Sequence, residues 1–127
     1  MQYIYVDAKL FEVNSEFVFK CGTIEANRTI LNKTSITATA NTNIDLITGS
    51  YFYLTVSSAT SLTMSNAVDG HEFKLVIDGD INNVTFDGSL VIANALTSSG
   101  NKKYVYKGFV VGTSIILEGI GVLSWVF

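Results

Sequence analysis

Few residues of this chain could carry chemistry. His71 is the only histidine and Cys21 the only cysteine. Nucleophilic triads, imidazole relays and most zinc sites need a His partnered with Ser, Cys or further His. A single thiol completes neither a zinc quartet nor a disulfide within one chain. His71, between Gly70 and Glu72, reads as a solvated turn residue, and Cys21 as a small buried hydrophobe. No pair of carboxylates with flanking aromatics has a spacing that would bring it together for glycoside hydrolysis. These residues point to a non-enzymatic chain with no cofactor.

One run resembles the start of a calcium loop. Asp78-Gly79-Asp80-Ile81-Asn82-Asn83 places oxygen-bearing side chains at alternate positions. The full pattern wants Gly at its sixth position and a bidentate Glu at its twelfth, where this chain has Asn83 and Ser89. The run therefore reads as an Asp-Gly turn without a metal, with Asn82 and Asn83 as polar loop tips. Asn27, Asn32 and Asn83 each open an Asn-x-Thr sequon, which an Asn- and Thr-rich sequence produces by chance. Tyr51 and Tyr53 alternate with Phe52, so they share one face of a strand. That face suits packing against a second sheet or subunit, and its rival use is a platform for sugar.

The elements that would position these residues read as β-strands. The stretch from Asn43 to Asp80 holds three apolar-alternating runs, Phe52-Leu54-Val56, Leu62-Met64 and Phe73-Leu75-Ile77, each closed by turn residues. They read as consecutive hairpins, with Asp78-Gly79 and Asp87-Gly88 as further turns. Upstream lie Tyr3 to Val6, Lys9 to Val13 and Phe17 to Phe19, then a Thr- and Asn-rich stretch from Gly22 to Thr42 suited to a weak strand or an arm. Downstream come Val84 to Phe86, Leu90 to Ile92, Lys103 to Lys107, Phe109 to Val111, Ser114 to Glu118 and Val122 to Phe127. Lys102-Lys103 reads as a solvated turn. About ten short strands with regular turns predict an antiparallel sandwich of the jelly-roll kind.

Composition bounds the partners. The 127 residues fit one domain, read as N-terminal strands or an attachment arm over 1–42 and a jelly-roll-like β domain over 43–127 that together make one compact unit. A 48% apolar and 15% charged composition, with mean hydropathy +0.36, favours burial of side chains between subunits. The absence of Pro removes one common blocker of edge pairing, which points the same way. Net charge −3 and scattered basic residues argue against nucleic acid. Asp7, Lys9 and Glu12 fall too early for a signal-peptide core, and the apolar C-terminus is broken by Glu118, Gly119 and Gly121, short of the roughly 20 residues of a membrane helix.

The words Asp45-Leu46, Gly49, Tyr51 to Val56 (YFYLTV), Thr60 to Thr63 (TSLT), Ser65-Asn66, Gly70, Phe73 to Ile77 (FKLVI), Val84 to Phe86, Leu90 and a close at Trp125 resemble a β-structured domain of tailed-bacteriophage virion proteins. Members share an "xLTL" strand, a "TLTLSN" hairpin, a "G-xx-FTLxL" strand and a "VTW" or "VTF" strand. This chain departs from them after Phe86, where Asp87-Gly88-Ser89 replaces a "W-P" word, and over Lys103 to Val111. The resemblance implies a head-fibre, capsid-decoration or tail-fibre-tip protein that assembles as a trimer, resides in the virion and docks on capsid or tail proteins. The rival it leaves open is a receptor- or glycan-binding tip that holds host-surface sugar. The candidate surface residues are Tyr51, Tyr53, His71, Asn82 and Asn83.

Overall fold

The computed structural model describes residues Leu31 to Leu123. The expected strands before Thr29, Cys21, the sequon at Asn27 and Trp125 lie outside the described residues. Nine strands follow in chain order: β1 (Thr34–Thr37), β2 (Asn41–Asp45), β3 (Tyr51–Thr55), β4 (Thr60–Ser65), β5 (Glu72–Asp80), β6 (Val84–Phe86), β7 (Leu90–Ala93), β8 (Asn101–Val111) and β9 (Ser114–Leu123). Two single-turn 3-10 helices, Leu46–Thr48 and Ile81–Asn83, interrupt them, and no α-helix is present among the described residues. The described residues form an all-β fold.

The jelly roll expected from the sequence is corrected by the pairing. Of the seven ladders among the described residues, five are parallel (β1–β3, β3–β5, β2–β4, β4–β6 and β7–β9) and only β5–β8 and β8–β9 are antiparallel. The chain runs alternately through a six-stranded sheet, order β1-β3-β5-β8-β9-β7, and a three-stranded sheet, order β2-β4-β6. β1 with β2, β3 with β4 and β5 with β6 thus make three stacked coils, a β-solenoid-like arrangement. The supposed hairpin turns at Ser58-Ala59 and around Gly70 are corners where the chain changes sheet, because each strand bonds to the coil before it. At the corners the bonding between coils continues, with the amides of Ala38, Val56 and Ser61 donating to the carbonyls of Thr55, Asp78 and Ala40 at 2.8 to 2.9 Å.

In parallel pairing at this register, residues on one face stack directly on their partners. Phe52 lies against Leu75 and Leu54 against Ile77 in the larger sheet, while Thr42 lies against Leu62 and Leu62 against Phe86 in the smaller one. Phe52, Leu54, Leu62, Leu75 and Ile77 are fully buried and form one core with Ile44, Tyr104, Tyr106 and Leu117. Burial of each such side chain contributes on the order of 1.5–3 kcal/mol. The core admits one polar pair: the Thr42 and Thr60 hydroxyls bond each other at 2.8 Å, and Thr42 also meets the Thr39 backbone, so both enter without an orphaned group.

The last coil ends differently. β8 reverses direction, and a two-residue turn at Gly112-Thr113, with φ +64 at the glycine, folds β9 back onto it. The smaller sheet stops at β6, so residues 94–100 cover the inner side of β8 and β9 instead. Leu96 packs on the core, the Ser98 hydroxyl donates to Asp80 at 2.6 Å, and the buried Tyr104 hydroxyl donates to the Gly100 carbonyl at 2.6 Å while accepting from the Ser99 amide.

Asp78-Gly79, expected as a turn, lies inside β5, and Lys102-Lys103, also expected as a turn, lies inside β8. Gly79 is needed there for a different reason: a Cβ on it would sit 2.1 Å from the Val56 carbonyl oxygen, and its φ of +148 is one that side chains disfavour. Gly79→Ala is therefore expected to lower stability by about 1–3 kcal/mol in urea unfolding. Gly88→Ala, in open space at ordinary φ, is expected to change it by less than about 0.5 kcal/mol. Equal effects would contradict the close coil-to-coil contact.

Candidate functional site

The outward face of the six-stranded sheet holds two of the five candidate residues, Tyr51 and Tyr53. Alternation along β3 turns Phe52 and Leu54 inward, so Tyr51 and Tyr53 face outward and are half-buried. In register they stand beside Lys74 and Val76 of β5, and these in turn beside Lys107 and Val105 of β8. The Tyr53 hydroxyl donates to Asp78 Oδ2 at 2.6 Å. The Lys33 and Lys103 ammonium groups lie 4.7 and 5.9 Å from its ring centroid. The hydrogen bond to Asp78, then burial, then the Asp78 charge push the Tyr53 phenol up to about 12. Tyr53 is thus a fixed strut of the face.

The other candidates are not brought to it together. His71 precedes β5, with Nε2 3.0 Å from the Ser50 hydroxyl and its ring 5.7 Å from that of Phe73, so it is half-buried rather than a solvated tip. Asn82 and Asn83 lie in the 3-10 turn at the opposite end of β5, roughly 25 Å away along the strand. Asp80 caps that turn, its Oδ1 accepting from the Asn82 amide at 2.9 Å as well as from Ser98. Those two bonds, Ser98 first, hold the Asp80 carboxyl below the usual carboxylate range. The carboxylates of the supposed calcium run are therefore occupied by Tyr53, Ser98 and the local backbone. Among the described residues no group of three or more His, Cys, Asp or Glu is placed to hold a metal ion.

Sequence reasoning missed a groove on this face. Its volume is 610 Å³, and Leu31, Val105 and Ile120 supply its apolar lining and Glu72, Lys74 and Lys107 its charge. A bulge makes room for it. Val105 pairs with Gly121 and Tyr106 with Gly119, so Ile120 is the extra residue, 59% exposed and aimed outward, and Gly121 adds no side chain opposite Val105. The outward positions of Glu72 and Lys74 could be read from the alternation of β5. The antiparallel pairing that sets Lys107 opposite Lys74 could not, since the two are separated by a sheet change and a strand reversal.

The same face carries an apolar patch further along. Phe109, Ile116 and Val91 stand in one row across β8, β9 and β7, with Val111 beside them. Val91 and Val111 are 50% and 57% exposed. Compared with family models, curated proteins and solved structures, the chain matches none.

Because the folded-state value of Tyr53 is raised, the stability from its bond to Asp78 is fully present below pH 10 and is lost as pH rises from 10 to about 12. Over that window the urea midpoint of the wild type is expected to fall more steeply than that of Tyr53→Phe. Parallel curves would show that the bond contributes nothing.

Proposed function

We propose that this chain is a non-enzymatic structural subunit of a tailed-phage virion, which associates with copies of itself, as a trimer, and docks on the head or tail. The observation that carries the assembly half of this reading is the row Phe109–Ile116–Val91 with Val111, an outward apolar patch spanning three strands. A side chain left half in water at each of these positions forgoes on the order of a kcal/mol that contact with another subunit would recover. The strand bordering the patch, β7 (LVIA), bears no charge and no Pro and is an edge of the sheet among the described residues. Such an edge invites pairing unless it is covered. The composition, 48% apolar against 15% charged, agrees with interfaces of this kind.

The virion half of the reading rests on the resemblance of the words YFYLTV, TSLT, FKLVI and VTF to phage virion domains. The coils give that role a mechanical basis. Each coil is hydrogen-bonded to the next along two sheets, so load is spread over many backbone bonds instead of a few side-chain contacts.

Sedimentation of the full chain at micromolar concentration tests the assembly. A species of three times the 13.8 kDa chain mass is expected, converting to single chains in a Val91→Asp, Val111→Asp variant that keeps its β-sheet circular dichroism. A stable wild-type monomer that does not shift on addition of capsid or tail components would overturn the proposal.

A further inference from the structure

The groove beside the apolar patch has a charge arrangement that packing does not explain. Lys74 and Lys107 are directly opposite each other in the β5–β8 ladder, and both are exposed. Like charges in that position destabilise a sheet by about 0.2–1 kcal/mol. Neither lysine is relieved by an ion pair among the described residues, although Glu118 is the cross-strand neighbour of Lys107 and Glu72 lies on the same face of β5. Two lysines thus stand opposite each other in the ladder and both line a 610 Å³ groove, a volume in the range that small-molecule sites occupy.

We propose that this groove binds an anionic saccharide unit, a sugar ring bearing a carboxylate. Each part of the lining fits one part of such a ligand. Lys74 and Lys107 together offer a doubly positive seat for one carboxylate, whose arrival removes their mutual repulsion. Val105, Ile120 and Leu31 offer an apolar floor to the C–H face of the ring. Tyr51, the register neighbour of Lys74 on the same outward face, adds an aromatic surface at the margin. Glu72 has acceptor oxygens with no donor among the described residues, and Ser50, whose hydroxyl meets His71, also lines the groove. Glu72 can accept hydrogen bonds from hydroxyl groups, which a sugar supplies and a bare anion lacks. The inference is independent of the assembly reading, since the patch around Phe109, Ile116 and Val91 supplies none of the groove's lining.

The test is titration of the full-length protein with glucuronate and N-acetylneuraminate, followed by saturation-transfer NMR and by the methyl signals of Val105 and Ile120. Glucose and inorganic phosphate serve as comparison probes. The acidic sugars are expected to bind saturably, with dissociation constants on the order of 1 mM, and to shift both methyl signals. Lys74→Ala, Lys107→Ala is expected to weaken them by about tenfold or more, and raising the salt to weaken them further. Glucose is expected to bind more weakly by a similar factor. Because both lysines are exposed, the double variant is expected to fold, and a Lys74→Arg, Lys107→Arg variant should retain binding. The proposal is overturned if neither acid binds saturably, if the double alanine variant binds them unchanged, or if phosphate binds as tightly as the sugars.

Discussion

Parallel register between successive coils, with Phe52 held against Leu75 and Leu54 against Ile77, is the constraint from which the remaining geometry follows. Inward-facing residues then stack on inward-facing ones, and a single apolar ladder runs through β3 and β5 while Leu62 and Phe86 continue it in the facing sheet. Such a stack tolerates little variation at the corners. There the chain must leave one sheet and reach the other while its amides still find the coil below, as the Val56 amide finds the Asp78 carbonyl at 2.8 Å. That bond draws the Val56 corner so close to β5 that only glycine fits at position 79. The buried Thr42–Thr60 pair lies at the corner of the smaller sheet, where two small polar side chains satisfy each other inside the core.

A stack of open coils ends in unpaired strand edges, and the C-terminal third of the chain deals with one of them by changing direction. β8 runs against β5, β9 runs against β8, and β7 closes onto β9. The loop over 94–100, tied down by Ser98 to Asp80 and by Tyr104 to Gly100, substitutes for the strand that the smaller sheet lacks at this level. Reversal has consequences on the outward face. It sets Lys107 opposite Lys74 and Lys103 opposite Asp78, and the bulge at Ile120 opens the groove between them. The region that finishes the fold therefore also shapes two features of the outward face, an apolar patch and a groove lined by two lysines and Glu72, lying side by side.

Alternation made the faces legible from the sequence: Phe52, Leu54, Val56, Leu62, Phe73, Leu75 and Ile77 are all buried, and Tyr51 and Tyr53 turn away from them. Partners were not legible, because a period of two reports which side a residue faces and is silent on which strand lies beside it. Antiparallel neighbours were the natural expectation for strands joined by short links, since parallel pairing ordinarily needs a long crossover. Here the crossover is another strand in the facing sheet. A repeat could have given this away, but the coils differ in length. Thr34 pairs with Phe52, eighteen residues on, whereas Tyr51 pairs with Lys74, twenty-three residues on, so no fixed spacing stands out. Asp78-Gly79 misled for a related reason. The pair that most often marks a turn is used here inside a strand, where the missing side chain admits the neighbouring coil.

Interstrand nuclear Overhauser effects on a uniformly labelled sample test the stacking most directly. Parallel coils predict amide-to-Hα contacts linking Phe52 with Leu75 and Leu54 with Ile77, and Asn41 to Asp45 with Ser61 to Ser65. Strong Hα-to-Hα contacts between the segment Tyr51 to Thr55 and the segment Thr60 to Ser65, the mark of an antiparallel hairpin, would contradict it.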